Sequence, residues 1–266
     1  MSVKYISVAE FAAKHGIAER TVRNYCARGE LDGAILVGKT WSIPADAELP
    51  SRKHRKLKAM PLLIVLRQEK ESKLKGGVYH RTQIDLTYNS NHIEGSRLTH
   101  DQTRYIFETN TIGITDESVN VDDIIETINH FAAVRYVIDN ITAPMTAVFI
   151  KQLHHVLTYG TYADRIEKIR PGEYRVSKTD IGVPAKEITG SVTALIREYE
   201  KGLITLDRIL DFHVHFERIR PFEDYNGRLG RLIMLKECLR HEIDPFIIDD
   251  KRRSVYLRGI LSWDDD

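Results

Sequence analysis

From Pro61 onward, apolar residues recur at helical spacing almost without interruption, and this periodicity constrains the fold more than any other feature. Ile124, Ile128 and Phe131, for example, fall on one face of a helix, where they would pack against a core. Similar patterns predict helices over residues 62–75, 79–94, 100–109, 121–139, 146–158, 186–200, 205–218 and 230–241. We therefore expect a mostly α-helical domain over residues 61–266.

One segment of this domain departs from the helical pattern. Residues 171–183, PGEYRVSKTDIGV, place polar and β-branched residues between glycines, which predicts a β-hairpin flap. One helix start is also marked, because Thr99 and Gln102 have the spacing of a capping box and predict a helix from residue 100. The expected architecture is a helical assembly with one β flap.

The first residues of the chain have a different organisation. Apolar residues around Phe11 and around Val22 lie on either side of Gly16, which indicates two short helices joined by a tight turn. The β-rich runs AILV and TWSI follow and predict a small hairpin. Residues 5–44 therefore have the pattern of a helix-turn-helix with a β wing.

The charge is distributed unevenly along the 266 residues. Residues 1–60 carry 11 Lys and Arg against 6 Asp and Glu, a balance of +5, whereas residues 61–266 have a balance of −4. A basic front end indicates an acidic partner such as nucleic acid, and the alternative is a solvated charged face. Residues 49–60 contain Pro50 and the run RKHRKLK, which predicts a basic linker after a first domain at 1–48.

Composition excludes two classes of protein. Hydrophobic residues make up 42% and charged residues 29% of the chain, which is typical of a folded globular protein and not of a disordered one. No uncharged apolar stretch is long enough to span a membrane, so we expect no membrane partner and a cytoplasmic location. Cys26 and Cys238 match no metal or redox spacing and are expected to be buried free thiols.

Residues 220–231, RPFEDYNGRLGR, have the composition of an anion-binding loop. Asn226 and Gly227 favour a turn that points backbone N–H groups into one concavity, and the dipole of the following helix adds to the positive field. Arg228 and Arg231 lie one helical turn apart and reach the same side, while Asp224 offers the oxygen ligand that Mg²⁺ prefers. The alternative is a glycine-containing interhelical loop whose arginines pair with surface acids.

This stretch resembles the motif of the Fic (Fido) family, H-P-F-x-(D/E)-G-N-G-R-x-x-R. The matching positions are Pro221, Phe222, Asp224, Asn226, Gly227, Arg228 and Arg231. The resemblance implies AMP transfer from Mg·ATP to a hydroxyl group of a target protein, with Asp224 as the metal ligand. It also implies a nucleotide site formed by Phe222, Asn226, Gly227, Arg228 and Arg231.

A second stretch, YNSNHIEGSRLT, resembles the (S/T)-x-x-x-E-(G/N) inhibitory motif of autoinhibited Fic proteins. Ser90 and Glu94 are four residues apart and share one face of the helix that we place at 79–95. The resemblance implies that Glu94 pairs with Arg231 and blocks the γ-phosphate position. The alternative is an ordinary exposed helix end.

Two positions depart from the Fic pattern. Arg220 stands where the family has its catalytic histidine, and a permanently protonated guanidinium has no lone pair with which to act as a general base. Neither His213, expected in the core, nor His215, which points elsewhere on the helix, is a convincing substitute. Tyr225 replaces a glycine, where it either strains a positive-φ backbone or narrows or stacks in the nucleotide pocket.

The first domain resembles the helix-turn-helix of excisionase and MerR-like proteins. The resemblance implies DNA binding, and a protein-docking module is the alternative. The residues expected to contact DNA are Arg20, Thr21, Arg23, Asn24, Arg28 and Lys39.

Two functions from different classes follow. The first is an autoinhibited protein adenylyltransferase, impaired by Arg220 and coupled to a DNA-binding head. The second is a catalytically degenerate Fic domain that senses nucleotide and regulates the head or a partner. The expected ligands and partners are ATP or ADP, Mg²⁺, a target protein, DNA and a second copy of the chain in a homodimer.

Overall fold

The computed structural model describes residues 4–27, 31–38, 40–49, 61–112, 118–178 and 181–263. The chain divides into two compact units, Met1–Ala59 and Met60–Asp266. The expected basic linker lies almost wholly outside the described residues, as does Lys39 in the expected hairpin turn.

The first unit combines two helices with a three-stranded antiparallel sheet. Its elements are β1 (Tyr5–Ser7), α1 (Val8–His15), α2 (Glu19–Ala27), β2 (Ile35–Val37) and β3 (Thr40–Pro44), and the sheet order is β1-β3-β2. The predicted pairing of the AILV and TWSI runs is confirmed, with Leu36 opposite Trp41. Strand β1 was not predicted, because three residues are too few to show an alternating pattern.

Local sequence explains the boundaries of α1. Ser7 accepts a hydrogen bond from the backbone of Glu10, whose carboxylate accepts one from the Ser7 backbone, so a capping box begins the helix. Gly16 ends it in the left-handed conformation at φ 64°. Phe11, Val22 and Ile43 then fill the core between the helices and the sheet.

The second unit is helical. Its helices are α3 (Leu62–Ser72), α4 (Val78–Ile93), α5 (His100–Thr109), α6 (Val121–Asp139), α7 (Ala147–Thr158), α8 (Tyr162–Arg165), α9 (Ile188–Tyr199), α10 (Leu206–Ile219), α11 (Asn226–Arg240) and α12 (Arg253–Leu261). All the predicted helices are present, and the predicted capping box of Thr99 and Gln102 begins α5. The helix predicted from residue 230 begins at Asn226 instead, while α8 and α12 were not predicted.

The core of this unit lies between α10, α11, α6 and α7, which pack against one another. Phe216 and Leu229 are fully buried there, so α10 and α11 hold the segment that joins them against the centre of the unit. Both cysteines are free and buried, as expected. No helix within the described ranges is both long and apolar enough to cross a membrane.

The prediction of a β-hairpin flap at 171–183 is wrong for the residues that the structure describes, which contain no strand. Four backbone N–H groups of this segment, those of Arg175, Val176, Ser177 and Val183, bond to the 219–223 region. Arg175 N donates to Pro221 O at 2.9 Å, and the N–H groups of Val176 and Ser177 donate to the Glu223 carboxylate. Backbone donors satisfied in this way are not available for a hairpin ladder.

Candidate functional site

The loop between α10 and α11 turns sharply at both ends. Arg220 has φ 50° and Tyr225 has φ 66°, so two non-glycine residues adopt the left-handed conformation within six positions. Such residues cost free energy, since Cβ approaches the following carbonyl oxygen, and they persist only where surrounding contacts enforce them. The loop is therefore held by its neighbours.

Two sets of contacts fix the loop interior. The Asn226 side chain accepts a hydrogen bond from Phe222 N at 3.0 Å and donates one to Phe222 O at 2.9 Å. The Phe222 ring is fully buried and stacks on His154 with centroids 3.8 Å apart. The α11 N-terminus thus begins from a rigid support, with its first N–H groups at the loop.

Gly227 lies at the point where the charged groups of the site converge. A Cβ placed on Gly227 would stand 2.5 Å from Glu94 Oε1, 3.0 Å from Arg231 Nη1 and 3.2 Å from Glu217 Oε1. Any larger residue would therefore displace these groups. Because Gly227 has no side chain, an anionic group can closely approach the helix N-terminus, and the Glu94 carboxylate does so here.

Arg231 is held by the end of α4. Its Nε donates to Ser90 Oγ at 3.0 Å, and its Nη2 donates to Ser90 O at 3.0 Å and to Glu94 Oε1 at 2.7 Å. The structure thus brings Glu94, which the resemblance to the inhibitory motif pairs with Arg231, into contact with that arginine, and Ser90 is a further partner. Burial acts to raise the pKa of Glu94, but the charge and hydrogen bond of Arg231 outweigh it, so that pKa lies below its usual value.

Helix α12 adds a second set of contacts to Arg231. The Tyr256 hydroxyl lies 3.4 Å from Arg231 Nη1, 2.7 Å from His213 Nε2 and 3.3 Å from Glu217 Oε1. Burial raises the pKa of the Glu217 carboxyl, against the lowering effect of Arg231. Arg231 therefore lies among two carboxylates and a phenol.

Arg228 is engaged by a different helix. Its Nη1 donates to Glu126 Oε2 of α6 at 2.5 Å, and its guanidinium stacks over the Tyr225 ring at 3.8 Å. Burial tends to lower the pKa of Arg228, but the Glu126 charge leaves it above the usual value. Both motif arginines are thus buried and charged, and each is paired with one carboxylate.

Asp224 and Arg220 lie on the loop itself. Asp224 is exposed, and its Oδ1 accepts a hydrogen bond from Tyr225 N at 2.7 Å. Arg175 Nε donates to the backbone oxygen of Arg220 at 2.7 Å, which ties the 171–178 segment to the loop. Within the described ranges, no group of three or more His, Cys, Asp or Glu residues is arranged to hold a metal ion.

The nearby histidines are committed to other contacts. His213 is buried and bonded to Tyr256, and burial lowers its pKa to about 3. His215 interacts with Asp211 O of its own helix at 2.8 Å. His154 is stacked on Phe222, and burial lowers its pKa to about 3 as well. None of these three residues takes the place of a general base beside Arg220.

The residues expected to contact DNA lie on α2. Arg20, Arg23 and Asn24 are exposed and Thr21 is partly buried. Arg23 pairs with Glu19 one helical turn earlier. Arg28 and Lys39 lie outside the described residues.

Sequence reasoning missed Glu126, Glu217 and Tyr256. Glu126 and Tyr256 are distant in sequence from the loop, and Glu217 is an ordinary polar residue on an amphipathic helix. No local pattern marks a residue whose importance comes from a contact that the tertiary fold creates. A search of the sequence for carboxylates able to pair with two buried arginines would have shortened the list of candidate residues without identifying Glu126 or Glu217.

Residues 144–238 match the model of the Fic/DOC family, and this range includes the whole loop. The chain is similar to proteins named protein adenylyltransferase Fic. It is 26% identical to the one from Aedes aegypti over 182 residues, 65% of this chain and 35% of that protein. It is 27% identical to the one from Drosophila willistoni over 179 residues, 64% of this chain and 34% of that protein. The chain thus spans about a third of the length of these curated relatives.

Solved structures show the same fold. A Fic domain containing signaling protein from Bacteroides thetaiotaomicron has a TM-score of 0.62 at 23% identity, covering 76% of this chain and 81% of that one. Fic-1 from C. elegans, residues 134–508, has a TM-score of 0.61 at 19% identity, covering 76% and 63%. The second unit therefore has a Fic-like fold.

Proposed function

We propose that the second unit binds Mg·ATP at the loop of residues 220–231 and is an autoinhibited protein adenylyltransferase impaired by Arg220. The meeting of the α11 N-terminus, Arg231 and Glu94 at Gly227, with Arg228 on the first turn of the same helix, is the observation that carries this proposal. A helix N-terminus with two arginines beside it favours a polyphosphate over a neutral ligand. Relatives named for adenylyltransferase activity support the same reaction class.

The residues present fit the ligand. A Cβ at position 227 would collide with its neighbours, and the buried Arg228 Nε has no hydrogen-bond partner among the described residues. Asp224 is exposed and supplies a carboxylate oxygen, and Mg²⁺ in such sites commonly relies on one or two carboxylates together with the phosphates. The metal would neutralise charge on the phosphates, while Phe222 and Asn226 hold the loop in shape.

Glu94 is the inhibitory residue in this proposal. Its carboxylate occupies an Arg231 donor that a phosphate oxygen would otherwise use. The Glu94 side chain is 35% exposed whereas the Arg231 side chain is 3% exposed, so Glu94 is the partner that can leave. Release of Glu94 exposes Arg231 to the nucleotide.

Arg220 limits the chemistry. Transfer of AMP requires the target hydroxyl to lose its proton as its oxygen bonds to the α-phosphorus, and pyrophosphate leaves. Arg220 has no acceptor for that proton, although it can add a cation beside the phosphates. The alternative function, a nucleotide-sensing regulator without transfer, is favoured by the histidines of the site being committed elsewhere.

Glu94→Gly is expected to tighten Mg·ATP binding by about ten- to a hundredfold, because a hydrogen-bonded competitor for a charged arginine is removed. Titration calorimetry on the full chain measures this. Glu200→Gly is the matched control, since Glu200 is also a helix C-cap glutamate but lies at the end of α9. Absence of ATP binding by Glu94→Gly would overturn the proposed function.

We also propose that the first unit binds DNA through α2, supported by the exposed Arg20 and Asn24 on that helix. Affinity is expected to fall steeply as salt rises, because bound phosphates release counterions. Arg20→Ala should reduce the slope of log affinity against log salt by about one if Arg20 contacts a phosphate. Fluorescence anisotropy with duplex DNA measures this, with Lys186→Ala in the second unit as control. No binding at low salt would favour a protein-docking module.

A further inference from the structure

Tyr225 occupies a position that costs free energy to hold. Its backbone lies at φ 66° and ψ 9°, and the residue is only 4% exposed. A glycine would adopt this conformation without strain, so the tyrosine side chain must make contacts that offset the cost.

Those contacts link Tyr225 to two other groups, Glu126 and Arg228. The Tyr225 hydroxyl donates to Glu126 Oε1 at 2.5 Å, and Arg228 Nη1 donates to Glu126 Oε2 at 2.5 Å. The Arg228 guanidinium lies over the Tyr225 ring, 3.8 Å from its centroid. Each group therefore contacts the other two, and the orientation of Arg228 is fixed on one face and along one edge.

The arrangement leaves donors of Arg228 unused. An arginine and a carboxylate facing each other freely form a bidentate pair that uses both carboxylate oxygens and two N–H groups. Tyr225 takes one oxygen of Glu126, so the pair with Arg228 uses the other oxygen alone. In the described part of the chain, the bond to Glu126 is the single hydrogen bond of this guanidinium. Arg231, by contrast, donates hydrogen bonds to Ser90, Glu94 and Tyr256.

We propose that Tyr225 and Glu126 are positioning residues that hold Arg228 in the orientation in which it binds a nucleotide phosphate. The inference rests on the proposed nucleotide binding. Tyr225, which replaces the motif glycine, then supports the site and does not obstruct the nucleotide pocket. Removal of the hydroxyl frees Glu126 Oε1 to pair with a second N–H group of Arg228, which withdraws that donor from the phosphate.

The test is calorimetry with Mg·ATP on full-length protein carrying Glu94→Gly, so that binding is measured without the inhibitory glutamate. Adding Tyr225→Phe, which keeps the ring over Arg228 and removes only the hydroxyl, is expected to weaken binding about tenfold. Tyr225→Gly, which removes the ring as well, is expected to weaken it further. This order would not follow if the tyrosine merely filled space, because Phe fills the same space.

Tyr199→Phe is the matched control. Tyr199 is also buried and donates to a buried carboxylate, Glu237, at 2.9 Å, but it lies on α9 and contacts neither motif arginine. Its loss is expected to lower the melting temperature and leave ATP affinity unchanged.

The two proposals fail in different ways. If Glu94→Gly alone binds no ATP, the proposed function falls and the role of Tyr225 falls with it. If Glu94→Gly binds ATP and Tyr225→Phe binds it equally or more tightly, only the positioning role is overturned. Equal weakening by Tyr225→Phe and Tyr199→Phe would also overturn it, since both would then act through general destabilisation.

Discussion

Arg220→His combined with Glu94→Gly is expected to raise AMP transfer by about 10²- to 10⁴-fold over Glu94→Gly alone. This is the usual contribution of a positioned general base. A neutral histidine at this position can accept the proton of the target hydroxyl, which a guanidinium cannot. The backbone should accept the change, because histidine tolerates the left-handed conformation, here φ 50°, better than most residues. Removal of Glu94 frees Arg231 to hold the nucleotide in place.

The measurement is transfer of label from α-labelled ATP to the protein itself and to lysate proteins, with an active Fic enzyme assayed in parallel. Arg220→Gln with Glu94→Gly is the matched control, because it removes the arginine charge without adding a strong base. If charge alone limits transfer, both variants gain activity, whereas loss of the base predicts a gain for the histidine variant only.

The substitution Tyr225→Gly is added to the same series of variants. The two accounts of Tyr225 predict opposite effects of this substitution on AMP transfer. If Tyr225 positions Arg228, adding Tyr225→Gly lowers transfer, and if it misplaces the α-phosphate, the triple variant is the most active. Should every variant bind ATP and label nothing, simple loss of the base is the wrong account. The loop would then serve nucleotide sensing or another reaction.

The helices of the second unit were predictable because each buries one face, which leaves a period in the sequence. The α5 start was predictable because a capping box is a local interaction between Thr99 and Gln102. The anion-binding character of the 220–231 loop could be predicted for the same reason, since its glycine, asparagine and arginines lie within twelve consecutive positions. Features that depend on neighbouring residues in the sequence can be predicted from local patterns.

The remaining features depend on contacts between distant segments. The 171–183 segment has the composition of a hairpin, but its donors bond to Pro221 and Glu223, which no local pattern foretells. The early start of α11 follows Tyr225 at φ 66°, and the hydroxyl of Tyr225 donates to Glu126 on another helix. Tertiary contacts decided these points over local propensity.

Acid is expected to unfold the second unit well before its carboxylates are protonated. His130, His154 and His213 are all buried, and burial is the largest cause that lowers the pKa of each from 6.5 to about 3. Between those values the unfolded chain binds protons that the folded chain does not, so stability is present above pH 6.5 and is lost as pH falls. At pH 5 each histidine costs about 2 kcal/mol and the three together about 6 kcal/mol, which is comparable with the whole stability of many domains.

Glu217 opposes this trend, because its raised pKa makes the folded state bind a proton that the unfolded state releases. Because three histidines act against the single Glu217 carboxyl, the net stability of the folded state still falls as pH falls.

Denaturant unfolding of the full chain at a series of pH values between 7 and 5 measures the effect as the slope of unfolding free energy against pH. His130→Gln removes one of the three titrating groups, and that slope is expected to fall by about 1.4 kcal/mol per pH unit below pH 6. His215→Gln is the control, since His215 is also a helical histidine but its side chain is 43% exposed, and it should leave the slope unchanged. An unchanged slope in His130→Gln would mean that the His130 ring takes up a proton in the folded state. The protonated ring would need water or another acceptor beside Nε2, since this atom has no hydrogen-bond partner among the described residues. The slope change in His130→Gln thus reports whether this buried ring stays neutral as the acid transition begins.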